Sequence, residues 1–231
     1  MAMVRKRYVF PLAWLALLAG PMASAGLVDV PTVEYRADSL PEDAEPAWSR
    51  ETYYVTVAEI QPPGVLHLVV QGSPQETTSD GWYLEDPIPA GQDWIFVEVR
   101  AKVGAAASQD NLLTFAYAGV DAKIYIYQSS VGLFTTIGPV FQHPMDTPDG
   151  FHTFRLELRR STDEYWFYVD GSLVHHTIGV HVYDLADFVA IGRFGPDWQA
   201  ELFCDSILLG YREDAVAAES QSWSAVKSLY D

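Results

Sequence analysis

One stretch, residues 151–177, leaves this chain little choice of fold. From Phe154 to Arg159 apolar and charged residues alternate without a break: Phe154, Leu156 and Leu158 fall on one side, Arg155, Glu157 and Arg159 on the other. A period of two is that of a β-strand with one face buried. Tyr165 to Val169 reads as a second strand, and the short polar link from Arg160 to Glu164 makes the two antiparallel neighbours. Asp170-Gly171 supplies the positive backbone angles of a tight hairpin turn, after which Ser172 to Thr177 returns as a third strand. A meander of this kind has an apolar face that it cannot cover by itself, so a second sheet has to come from elsewhere in the chain.

The remaining sequence provides it. Trp94 to Val103 alternates Ile95, Val97, Val99 and Ala101 with Phe96, Glu98, Arg100 and Lys102. Leu112 to Ala118 and Lys123 to Gln128 read as a hairpin, Val131 to Phe141 as a Gly- and Thr-rich extended segment, Phe188 to Phe194 as a further strand and Leu202 to Tyr211 as a closing one. Nearer the start, Thr32 to Arg36, Tyr53 to Ile60 and Val65 to Val70 are strand-like, the last two parted by Pro62-Pro63-Gly64. The polar segment from Gln71 to Gly81 reads as a loop that places Trp82 at a loop mouth, and Gly195-Pro196-Asp197-Trp198 as another loop. Short strands punctuated by Gly, Pro and Asp-Gly, with no repeat of about 20 to 50 residues, describe an antiparallel sandwich rather than a propeller or solenoid.

Phe151, His152 and Thr153 ahead of an alternating strand, followed by Tyr168-Val169-Asp170-Gly171, resemble the signature of concanavalin A-like jelly rolls, the superfamily of laminin-G-like domains, legume lectins and pentraxins. The run from Phe203 to Tyr211, with Asp205 ahead of alternating apolar residues, resembles the last strand of such domains. The resemblance covers residues 53–211. It implies an all-β fold, a two-sheet antiparallel jelly-roll sandwich, in a protein of exported, bacterial type. The family 16 glucanases share this fold and a similar hairpin.

The ends of the chain differ in character. Arg5, Lys6 and Arg7 precede an apolar run from Tyr8 to Leu18 and then Ala23-Ser24-Ala25, the layout of a secretory signal peptide spanning residues 1–25, with an apolar run too short for a membrane span. The mature protein is therefore expected to be secreted or periplasmic, with residues 26–52 joining the sandwich of residues 53–211. In the tail, residues 212–231, Val216, Trp223 and Tyr230 recur every seven residues with Val226 between, as a short amphipathic helix would place them. Cys204 is the single cysteine and sits in an alternating strand, where it reads as a small buried apolar residue.

Charge narrows the partners. The formal net charge is −17, and loss of the three basic residues of the signal makes it −20. Nucleic acid and anionic membrane surfaces are disfavoured by such a field.

Chemistry is harder to find. The resemblance to glucanases implies two carboxylates on one strand upstream of the hairpin, in the pattern E-x-D-x-x-E, whereas Leu112 to Ala118 and Lys123 to Gln128 contain no acid. Glu201 and Asp205, four residues apart on the closing strand, would stand about 13 Å apart, too far for a retaining pair. The polar sides of the best strands offer something else: Phe96, Glu98, Arg100, Tyr125, Tyr127, Arg155, Glu157, Trp166 and Tyr168 would line one sheet surface, joined by Trp82 and Trp198 from loops. Aromatic rings there would stack on sugar C–H faces, while Glu and Arg would meet hydroxyls. Cross-strand ion pairs such as Glu98 with Arg155 are the plainer use of the same residues. Calcium, which many lectins of this superfamily hold, would find oxygen donors at Asp146 and Asp149, or at Asp110 and Asn111, although turns favour these residues anyway. His175-His176 and His181 make a weak metal signal, since neighbours on a strand point to opposite faces.

The sequence therefore leads to the expectation of a secreted, non-catalytic carbohydrate-binding module. An extracellular protein-binding sandwich and a glycoside hydrolase related to the family 16 glucanases are the alternatives.

Overall fold

The computed structural model describes residues 26–52, 57–71, 79–104, 110–117, 120–135, 138–178, 188–194 and 199–214. The strands are β1 (Leu27–Tyr35), β2 (Ser49–Thr52), β3 (Val57–Gln61), β4 (Val65–Gln71), β5 (Ser79–Glu85), β6 (Trp94–Val103), β7 (Asp110–Tyr117), β8 (Val120–Tyr127), β9 (Ser130–Thr135), β10 (Gly138–Pro144), β11 (His152–Arg159), β12 (Glu164–Val169), β13 (Ser172–Ile178), β14 (Phe188–Phe194) and β15 (Gln199–Asp214). A 3-10 turn at Pro41–Asp43 is the one helical element among the described residues. None of the described helices is long and apolar enough to cross a membrane. The strands belong to a compact unit, Val28–Glu213; a second unit, Met1–Leu27 with Asp214–Asp231, lies almost wholly outside the described residues, as do the signal and tail-helix expectations.

Two sheets result. One has eight strands in the order β13-β12-β11-β6-β15-β4-β3 with β1 added on β15; the other has seven in the order β10-β9-β8-β7-β14-β5-β2. The jelly-roll sandwich is thus the observed architecture. Its meander forms as the alternation requires: Leu156 stands opposite Phe167 on one side and Val97 on the other, Phe154 opposite Val169 and Val99. All of these are buried, together with Ile124, Ile126, Val131, Leu133, Val189 and Ile191 from the second sheet, and they form one core. Burying side chains of this size is worth about 1.5–3 kcal/mol each, which fixes the register, because a slip by one residue would turn every one of them outward. Asp170 and Gly171 both have positive φ, 48° and 76°, as the hairpin turn demands.

Three local expectations change. The segment read as a loop up to Gly81 already belongs to β5 from Ser79, so Trp82 points into the core with no exposed surface rather than standing at a loop mouth. Val131 to Phe141 is not one extended run but parts of two strands, β9 and β10. The closing strand carries a bulge between Cys204 and Ser206, so Cys204 and Ile207 both face the core although they are three residues apart. Cys204 is fully buried and its thiol pKa is pushed far up by that burial.

Candidate functional site

The sandwich offers two outer faces, and the residues expected to share one surface are divided between them. Phe96, Glu98, Arg100, Arg155, Glu157, Trp166 and Tyr168 belong to the eight-stranded sheet, whereas Tyr125 and Tyr127 belong to the seven-stranded one. Trp198 and His181 lie outside the described residues.

On the eight-stranded sheet these side chains are occupied by one another. Arg155 sits 2.8 Å from Glu157, 2.9 Å from Asp29 and 3.3 Å from Glu98, while Arg212 contacts the same Glu157 at 2.8 Å and Asp29 at 3.1 Å. Glu157 is 5% exposed, so its charge is balanced from two sides. Burial works against the Arg155 charge, but Glu157, Asp29 and Glu98 outweigh it and hold the guanidinium pKa above its usual value. Phe96 lies beneath the Arg155 guanidinium, 4.2 Å from ring centre to Cζ, and has no exposed surface. β1 crosses beside it so closely that a Cβ at position 210 would fall 2.3 Å from the Val30 carbonyl oxygen; only glycine fits there. Trp166 is stacked on Trp94 at 4.6 Å and on His176 at 4.9 Å, and Arg159 and Arg212 lie over Trp94. Its faces are therefore taken up by protein. Burial, with the Glu157 charge beside it, pushes the Tyr168 phenol pKa up. The plainer reading of these residues, cross-strand ion pairs, is what this face contains.

The acids of the closing strand are likewise paired. Glu201 lies 3.1 Å from His67 Nε2, and Asp205 contacts Arg100, so the two do not form a catalytic couple. His67 is stacked on Phe203 at 4.5 Å and also meets Gln61 and Glu59 through Nδ1.

The seven-stranded sheet is different. Its core side is set by Ala122, Ile124 and Ile126, so Lys123, Tyr125 and Tyr127 take the outer positions of β8. Phe134, opposite Lys123 on β9, reaches Tyr125 with ring centres 4.3 Å apart, and Tyr127 lies 6.2 Å from Tyr125 with the two rings 21° from parallel. These three half-buried rings form a continuous aromatic group on one side of the face. Toward the middle the register brings Thr114, Ala190 and Tyr83 into one row with Lys123. The small residues Thr114 and Ala190 therefore stand in that row between the aromatic group and Tyr83, and Ala190 is 1% exposed. Phe134 escaped the sequence reading because its strand looked merely Gly- and Thr-rich; its alternation with Val131 and Leu133 was the available signal.

Carboxylates on this face are few among the described residues. Both β7 and β8 run further than the sequence suggests, and their ends bring in Asp110, in register with the core-side Ile126, and Asp121, about 20 Å away at the rise of a strand. Glu85 is exposed, and Asp121 shares its row through Ala116 and Phe188, while Glu51 pairs with Gly81. Asp121 and Glu85 are separated by β7 and β14, about 14 Å at ordinary strand spacing.

At the end of this sheet the segment after β10 folds back on the β8–β9 turn. Asp149, one of the expected calcium donors, instead meets His152 Nε2 at 2.9 Å; the Asp146 carbonyl lies 3.2 Å from the same nitrogen. Among the described residues no group of three or more His, Cys, Asp or Glu side chains is placed to hold a metal.

No family model and no curated protein sequence matches the chain. Solved structures do. A laminarinase from a Flavobacterium species superposes with a TM-score of 0.59 at 16% identity, over 78% of this chain and 100% of that one. The catalytic domain of an endo-1,3-β-glucanase from Thermotoga petrophila gives 0.58 at 15%, over 82% and 99%. A Crh5 transglycosylase gives 0.55 at 12%, over 83% and 89%. Likeness at this identity establishes the sandwich. It also corrects the expectation of a non-catalytic binding module: that expectation rested on a missing acidic pattern, while the sandwiches this chain matches over most of its length include those of a laminarinase, an endo-1,3-β-glucanase and a transglycosylase.

Proposed function

We propose that this protein is a glycan-acting enzyme of the glycoside hydrolase or transglycosylase kind, working on a β-linked glucan laid across the outer face of the seven-stranded sheet. The observation that carries the reading is the aromatic group of Tyr125, Tyr127 and Phe134 on β8 and β9. It borders the strands on which the resemblance places glucanase chemistry, and its rings match the C–H faces of a sugar chain. The laminarinase likeness supports β-1,3-linked glucan as the first substrate to try. Cleavage of a glycosidic bond takes two carboxylates about 5 to 9.5 Å apart, the sugar passing to water in hydrolysis or to the hydroxyl of a second sugar in transfer. Asp121 and Glu85 are too far apart to be that couple with each other, so each is tested singly, as the partner of an acid bordering the face. The reading also places the protein outside the cytoplasm, in keeping with the signal read in residues 1–25.

The test is release of reducing ends, or of transfer products seen by mass spectrometry, from β-1,3-glucan. Activity should fall at least 100-fold in Asp121→Asn or Glu85→Gln if that acid takes part. A purified, folded chain that releases and transfers nothing from β-1,3- or β-1,4-glucans overturns the proposal.

A further inference from the structure

We propose that the depression between the β8–β9 turn and the segment following β10 is a saccharide subsite, one that prolongs the glucan path beyond Tyr127; this rests on the glycan-directed reading above. The depression has a volume of about 460 Å³ and is lined by Gln128, Ser129, Met145, Asp146 and Pro148. Small-ligand sites of about 300–1,000 Å³ combine apolar walls with a few placed polar groups, and this lining does so. A pyranose carries hydroxyls on its rim and C–H groups on its faces. Gln128, Ser129 and Asp146 supply donors and acceptors for the first, Met145 and Pro148 soft apolar contact for the second.

Position follows from the chain itself. Gln128 and Ser129 come directly after Tyr127, the last ring of the aromatic group, and Tyr127 pairs with Ser130 in the final rung of the β8–β9 ladder. The depression therefore begins where the aromatic row ends.

Its far wall is held before any ligand arrives. The Met145 N–H donates to the Ser129 carbonyl at 3.0 Å, the Thr147 N–H to the Gln128 carbonyl at 3.2 Å, and the fully buried Thr147 hydroxyl to the Tyr127 carbonyl. From the other side His152 meets the Asp146 carbonyl and the Asp149 carboxylate. A wall fixed by so many backbone contacts loses little freedom on binding, which is what a subsite with only three polar side chains needs.

Calorimetric titration of β-1,3-gluco-oligosaccharides of increasing length into the full chain tests this. Affinity of the wild type should rise with length, and Asp146→Ala and Gln128→Ala, both at exposed positions, should bind short oligosaccharides as the wild type does and the longest about 5- to 10-fold more weakly. Tyr125→Ala should weaken every length. Variants with unchanged melting temperature and wild-type affinity at all lengths overturn the subsite while leaving the glucan reading in place. A wild type that binds no oligosaccharide overturns both.

Discussion

His152 on β11 and Asp170 at the β12–β13 turn are joined at 2.8 Å, Nδ1 to Oδ2, and the other oxygen of the same carboxylate takes the Thr153 N–H at 2.9 Å. The Asp170 N–H in turn donates to the Thr153 carbonyl at 2.8 Å. The residues whose pattern links this chain to jelly rolls thus form a clasp that closes the meander. With Asp149 on the opposite nitrogen, the imidazole has a carboxylate at each side and can satisfy both only by donating twice, as the cation.

That clasp makes stability depend on pH in a definite sense. Burial opposes the His152 charge, but Asp170 and Asp149 outweigh it and hold the pKa above 6.5. Burial likewise opposes the Asp170 charge, while the Thr153 N–H and His152 hold its pKa below 3.8. The His152 contribution is complete below pH 6.5 and is lost as pH rises through the raised value; that of Asp170 is complete above pH 3.8 and is lost as pH falls through the depressed one. The clasp is therefore strongest between those limits. Relative to His152→Gln, the wild type should be more stable by about 1–2 kcal/mol in that window and should lose the advantage in more alkaline buffer. Parallel melting curves of the two proteins from acid to alkaline pH would show the clasp to be inert.

Glu157 carries a larger penalty because it stands between two guanidinium groups with almost no exposed surface. Glu157→Ala leaves Arg155 and Arg212 facing each other, with only Asp29, at 39% side-chain exposure, to balance both and Glu98 to help on one side. Unfolding in urea should show a loss of about 3–5 kcal/mol, the cost of breaking a buried pair from one side. Asp29→Ala, which removes the more exposed partner, should cost less, about 1 kcal/mol. Equal midpoints for Glu157→Ala and the wild type would mean that the network is solvated rather than buried.

What the sequence disclosed and what it withheld divide along physical lines. Strands with unbroken alternation, β6 and β11, could be placed residue by residue, because burial on one face writes itself into every second position. Cys204 was legible for the same reason. Trp82 was misplaced because polar Gln71 to Gly81 hides the start of β5, and the ring's burial depends on Glu42, forty residues earlier, which accepts its indole N–H, and on Arg50, stacked 5.1 Å over it. The division of the aromatic residues between two faces was out of reach for a deeper reason. Period two says that Tyr125 and Trp166 both point away from the core, but which sheet each strand joins is decided by long-range pairing that leaves no local trace. Asp110 reads only as a turn residue and oxygen donor, and Asp121 carries no strand signal, because strand ends lack alternation.

The two faces make opposite predictions, and this separates function from architecture. Phe134 touches Tyr125 and Tyr127 on the outer side of the seven-stranded sheet and contributes nothing to the core. Phe134→Ala should lower turnover or binding of β-1,3-glucan about 10-fold, the worth of about 1–1.5 kcal/mol of ring contact, with little change in melting temperature. Trp166, by contrast, is wedged between Trp94 and His176 on the other sheet. Trp166→Ala should lower the melting temperature through loss of that stack and leave the glucan response of the remaining folded protein unaltered. Parallel assays of the two variants decide which sheet the polysaccharide meets: a glucan defect in Trp166→Ala together with none in Phe134→Ala would move the site to the eight-stranded sheet, where the ion pairs and stacked rings leave it no free face.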